Sequence, residues 1–213
     1  MNRRALIVAL LLAAMVVPAR AQAQSETIVL LRTATDRGAY HYAEVIHERG
    51  RFIPFDVGHF DFDHPQQYRE LWIGGGGVPI ETPKGSLVAE GFVTKAFGEH
   101  ANGALYLQPF LIGHYRVAPT VVAEAVYLGY VPLNDAGQVQ HLLERAKVEY
   151  DAARFKVGAG YAAYKAAHQP LRNKPFITAT LKAGSLGNFE GWLQRLPGNH
   201  VTVQLRYAKV FRR

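Results

Sequence analysis

The segment HFDFDH, residues 59–64, is the densest grouping of side chains able to coordinate a metal. In an extended chain His59, Asp61 and Asp63 share one face, with His64 beside them. Imidazole and carboxylate at alternate positions can hold a divalent cation. The same pattern also describes a strand running out into a polar loop, with Phe60 and Phe62 at an interface, and this reading is preferred. Only three serines exist, Ser25, Ser86 and Ser185. A serine nucleophile needs a histidine and a carboxylate within reach. None of the three has a histidine at a recognisable spacing, and no G-x-S-x-G is present. Ser86 and Glu90 share a face as ordinary strand residues do. The run Gly74–Gly77 lacks the strand–helix context and the Lys-Ser/Thr of a phosphate loop. With no cysteine in the chain, thiolate chemistry and disulfides are excluded. The sequence therefore carries no assigned catalytic, metal or cofactor site, and the chain reads as a non-enzyme.

The residues that do form a chemical pattern are charged. In RAKVEYDAARFKVGAGYAAY, residues 145–164, one alternate set is Ala146, Val148, Tyr150, Phe155, Val157, Ala159, Tyr161 and Ala163. The other is Arg145, Lys147, Glu149, Asp151, Arg154, Lys156, Gly158 and Gly160. Alternation with a period of two is the signature of strands with one apolar and one polar face. Extending the register along the chain adds Glu90, Gln108, His114, Glu124, Lys182, Glu190, Gln194, Gln204 and Arg206 to the polar face. In the second half, Arg145, Lys147, Arg154, Lys156, Lys182 and Arg206 outnumber Glu149 and Glu190.

The elements that must position these residues are strands throughout. Twelve are predicted: 26–33, 39–47, 51–60, 68–78, 86–97, 104–116, 120–131, 141–151, 154–165, 176–183, 188–196 and 201–211. Each is rich in Tyr, Phe, Val and Thr and is bounded by Gly, Pro, Asn or Asp. Short linkers (48–50, 117–119, 152–153, 185–187) tend to alternate with longer polar ones (98–103, 132–140, 166–175). Residues 79–85 and 197–200 are the exceptions. Many segments run to ten residues or more, whereas strands of soluble domains average about 5–6. A strand that crosses a bilayer at a tilt needs roughly 9–11.

The first 23 residues stand apart. Arg3 and Arg4 precede an unbroken apolar run from Ala5 to Val17, followed by small-residue cleavage patterns at Ala19-Arg20-Ala21 and Ala21-Gln22-Ala23. This is the make-up of a secretory signal peptide, too short to span a bilayer as a helix. Residues 24–213 then form one domain. The formal charge is +7. Arg3, Arg4 and Arg20 leave with the signal, so the remainder carries +4, too mild an excess to imply nucleic acid.

The apolar faces mix small and aromatic residues. Val121, Ala123, Ala125, Tyr127, Gly129 and Val131 form one, and Leu105, Leu107, Pro109, Leu111, Gly113 and Tyr115 another. Tyr115, Tyr127, Tyr150 and Tyr161 fall toward strand ends, where aromatic girdles belong. At the C-terminus, Val201, Val203, Leu205, Tyr207 and Phe211 alternate toward a near-terminal aromatic. That segment resembles the C-terminal strand of bacterial outer-membrane β-barrel proteins, although Lys209 interrupts it and Arg212–Arg213 follow it.

The resemblance implies an all-β fold, a single closed antiparallel transmembrane β-barrel of about twelve strands, with ten as the alternative count. It implies export to the outer membrane of a Gram-negative bacterium, with lipid and the outer-membrane assembly machinery as partners. On this reading Glu90, Glu124, Arg145, Lys147, Glu149, Arg154, Lys156, Lys182 and Arg206 face the lumen. There they either pair with one another or draw small anionic solutes through a porin-like pore. The alternatives are a soluble lipocalin-like barrel with Phe155, Val157, Ala159 and Tyr161 turned inward around an apolar ligand, and a lipid-modifying barrel enzyme.

Overall fold

The computed structural model describes residues 25–35, 42–49, 52–57, 69–73, 78–99, 101–196, 198 and 200–212. The His59–His64 segment and the Gly74–Gly77 run lie outside them, as does the proposed signal. The described elements are β1 (Ser25–Ala34), β2 (Tyr42–Arg49), β3 (Phe52–Val57), β4 (Arg69–Ile73), β5 (Val78–Thr82), β6 (Gly85–Phe97) and β7 (Leu105–Ala118). They continue with β8 (Val121–Pro132), β9 (Gln140–Asp151), β10 (Phe155–Ala166), β11 (Arg172–Lys182), β12 (Asn188–Arg195) and β13 (Val201–Arg212). A single 3-10 turn, Gly184–Leu186, joins β11 to β12.

All thirteen strands belong to one antiparallel sheet. Chain neighbours are sheet neighbours from β5 up to β13, and β13 then pairs with β1, which leads through β2 and β3 to β4. β4 also pairs with β6. β4 and β5 lie end to end along β6, with Ile73 opposite Val93 and Val78 opposite Ala89. Five steps on one chain match four on the other, so the two behave as one interrupted strand with an extra residue. Counted that way the sheet has twelve strands.

This corrects one predicted connection. Residues 79–85 are not a loop. Val78–Thr82 is strand, and only Pro83–Lys84 turns the chain into β6. The turns at Pro83–Lys84, Pro119–Thr120, Ala152–Arg154 and Gly184–Leu186 then all lie at one end of the sheet. The connections 98–104, 133–139, 167–171 and 196–200 lie at the other.

The two faces of the sheet differ sharply. One exposes Val148, Val157, Ile177, Leu193, Val203 and Leu205, with Ile177 and Leu205 each 58% exposed. The opposite face buries Gln108, Glu149, Thr94, Thr202, Gln194 and Gln204. It also carries an apolar cluster of Trp72, Phe92, Ala96, Tyr106, Val126, Leu128 and Tyr130 on β4, β6, β7 and β8. Trp72, Phe92 and Phe110 are in mutual ring contact at 5.5, 6.4 and 6.0 Å between centroids. The sequence reading named only charged and polar residues for the buried face, and the structure adds this apolar cluster to it.

Candidate functional site

The charged half of the buried face is built on β8 to β13 and β1. β9 contributes most, because it contains a bulge. Val126 pairs with Arg145 and Tyr127 with Leu143, and on the other side Tyr161 pairs with Ala146 and Ala163 with Leu143. One extra residue at Glu144–Arg145 therefore interrupts the alternation. A bulge turns adjacent side chains to one side of a strand that would otherwise separate them. Glu144 and Arg145 meet in an ion pair as a result. Strict alternation cannot anticipate Glu144, and the sequence reading missed it.

Lys147 is the hub of one cluster. Its Nζ donates to Glu190 Oε1 at 2.5 Å and lies 3.2 Å from Glu149 Oε2 and 4.0 Å from Glu124 Oε1. Thr178 Oγ1 also donates to Glu190 Oε1, at 3.1 Å. Lys156 stands 4.0 Å from Glu149. Arg145 and Arg206 form the second cluster. Arg145 Nε donates to Glu124, and its Nη1 to Glu144. Arg206 donates to Glu144 Oε1 at 2.6 Å and to Glu190 Oε2 at 3.2 Å. Arg32 lies 3.9 Å from Glu144 and donates through Nε to Gln204 Oε1 at 2.8 Å.

An aromatic stack anchors this second cluster. Phe176 and Trp192 lie parallel, 4.0 Å apart with an interplanar angle of 2°. The Arg206 guanidinium sits 4.7 Å from the Trp192 ring centre, and that of Arg32 sits 5.4 Å away. A guanidinium on an indole face gains cation–π attraction and keeps its N–H edges free for carboxylates. Trp192 itself is 1% exposed.

Long side chains from β9 reach partners on β12 and β13 across β10 and β11. The residues of β10 beneath them are Gly158 and Gly160. A Cβ on Gly160 would stand 2.4 Å from Phe176 Cζ and 2.8 Å from Ala146 O. One on Gly158 would stand 2.1 Å from Val148 O. Glycine here is a spacing requirement: the floor must be bare for the charges and the Phe176 ring to pass over it.

The sequence-derived residues distribute as follows. Glu124, Arg145, Lys147, Glu149, Lys156 and Arg206 come together in the ion-pair network, joined by Glu190. Lys182 pairs instead with Asp151 at the short-turn end. Glu90 is half-buried on β6. Arg154 lies in the turn before β10 and is exposed, because β10 begins one residue later than predicted. Glu144, Arg32 and Trp192 are the members that alternation and proximity in sequence did not reveal. Among the described residues no group of His, Cys, Asp or Glu is placed to hold a metal ion.

Neither a protein-family model nor a curated protein matches this sequence. Eight solved chains match its fold. The KdgM porin in complex with disordered oligogalacturonate matches over 87% of this chain and 96% of its own, at a TM-score of 0.53 and 9% identity. The fold is similar to that of this porin. A second match, from work on the in-meso crystallization of membrane proteins, covers 89% of this chain and 83% of its own, with a TM-score of 0.59 and 8% identity. The sheet carries its apolar residues on one face and the charged network on the other.

Proposed function

We propose that this chain is a porin-like barrel of the outer membrane, closed on itself, that passes small polar or anionic solutes along its charged wall. The observation that carries this reading is the inverted burial. Phe155, Val157 and Tyr161 are exposed at 36–47%, while Arg145, Lys147, Glu149 and Arg206 are turned to the other face and are largely buried. Water would reverse that arrangement, whereas an acyl-chain surround requires it. A lipocalin-like barrel needs the same apolar residues on the buried side.

Closure is supported by the pairing of β4 with both β3 and β6. A spanning sheet cannot leave edge N–H and C=O groups in lipid. Residues 1–23 serve as the export signal in this proposal, and the short-turn end faces the periplasm with both termini. The KdgM porin, solved with oligogalacturonate, gives a precedent for an acidic solute in this fold. The ion-pair network is then the constriction, and its arginines are the groups that meet an anion.

The test is to fold residues 24–213 in detergent and compare unboiled with boiled samples on a denaturing gel. Faster migration of the unboiled band and single-channel current in planar bilayers are expected. A chain that stays monodisperse in buffer without detergent would sink the proposal.

A further inference from the structure

Three arginines from three strands converge on one carboxylate. Glu144 accepts from Arg145 of its own strand and from Arg206 of β13, and Arg32 of β1 stands 3.9 Å from the same Oε1 that Arg206 contacts. Each arginine is held by something other than Glu144. Arg206 lies on Trp192 and donates to Glu190. Arg32 lies over the same indole and donates to Gln204. Arg145 donates to Glu124. Glu144, in contrast, arrives through the extra residue of the β9 bulge. The triad is a preformed receptor with edges aimed at one point, and guanidinium edges match carboxylate geometry.

We propose that Arg32, Arg145 and Arg206 form a carboxylate-binding site inside the barrel, and that Glu144 is its tethered occupant. A solute carboxylate binds by displacing the Glu144 side chain, which then swings aside on its bulge. This inference rests on the reading of the chain as an anion-passing barrel and adds the ligand class and the gate. A tethered group competes at the high effective concentration of its short linker, so a free carboxylate at low concentration is held off. Selectivity follows. A rigid multi-arginine cradle accepts a carboxylate in preference to chloride, because the two carboxylate oxygens match a guanidinium fork and a single spherical ion does not.

The test uses E144Q in a W72F background. The chain has two tryptophans, so Trp192 becomes the sole emitter, beside the triad. Acetate is titrated against a chloride control of equal ionic strength, and reversal potentials are measured in planar bilayers. E144Q is expected to saturate with acetate at an apparent affinity about tenfold or more tighter than the parent, the tethered competitor having gone. Its reversal potential is expected to move toward anion preference. Identical titrations for E144Q and parent would overturn the proposal. Should E144Q fold poorly in chloride, refolding in acetate is expected to restore the fast-migrating band, and failure to do so overturns the proposal as well. Acetate binding without current in either protein would leave the site standing and remove the channel. Current that E144Q does not alter, with no difference in titration, would leave the channel and remove the site.

Discussion

Lys147→Met tests whether the ion pairs around this lysine are shielded from water. Lys147 has 5% of its side chain exposed and faces three carboxylates, on Glu190 at 2.5 Å, Glu149 at 3.2 Å and Glu124 at 4.0 Å. At an effective permittivity near 20, each contact is worth about 4 to 7 kcal/mol of gross attraction. Methionine recovers the several kcal/mol that desolvating an ammonium costs. The remaining penalty is that of stranded charge, above all on Glu149, which is 1% exposed and keeps Lys156 at 4.0 Å. Removing one partner from a buried pair costs about 3–5 kcal/mol, and that is the expected loss. The assay is urea unfolding from lipid vesicles, followed by tryptophan emission and by heat-modifiability. Arg154→Met, in an exposed turn, serves as the control and should stay within about 0.5 kcal/mol of the parent. A loss below about 1 kcal/mol for Lys147→Met, the range of water-exposed ion pairs, would refute the shielded network.

Other outcomes follow from the same geometry. Ala159→Arg places a charge at mid-strand on the apolar face and should lower stability in vesicles by about 2–4 kcal/mol, against almost nothing for Val139→Arg in a long connection; equal effects would mean that the face meets water. Gly160→Ala drives a Cβ into Phe176 and the Ala146 carbonyl and should cost about 1–3 kcal/mol, with a matching change in Trp192 emission as the stack shifts. Because the parent has no cysteine, Val157→Cys can be labelled cleanly: a lipid-soluble maleimide should react and a charged, water-soluble one should not. An epitope inserted at Asn134–Gly137 should be detected on intact cells, and one at Ala152–Ala153 only after the outer membrane is broken; the reverse result would invert the orientation.

The sequence by itself determined the class of fold and most strand boundaries. Alternation in 145–164, repeated elsewhere, tells which residues share a face, because a strand's side-chain period is two regardless of what it packs against. It also put Glu124, Arg145, Lys147 and Glu149 on one face, while the folded sheet decided which of them meet. Two kinds of information were missing. Bulges shift the period locally, and their position depends on both neighbouring strands, so Glu144 could not be assigned to the polar face from β9 alone. Contacts across the interior depend on which strands face each other once the sheet curves. Arg32 of β1 meets Glu144 of β9, 112 positions away, although β10 to β13 stand between their strands in the order of the sheet. The aromatic part of the buried face was legible only in part, for a related reason. The register of Glu90 and Gln108 already puts Phe92 and Phe110 on the polar face and Leu111 on the other, but only the folded sheet shows that Trp72 of β4 meets them there. Pattern fixes a residue's side of its own strand, and tertiary structure decides what stands opposite.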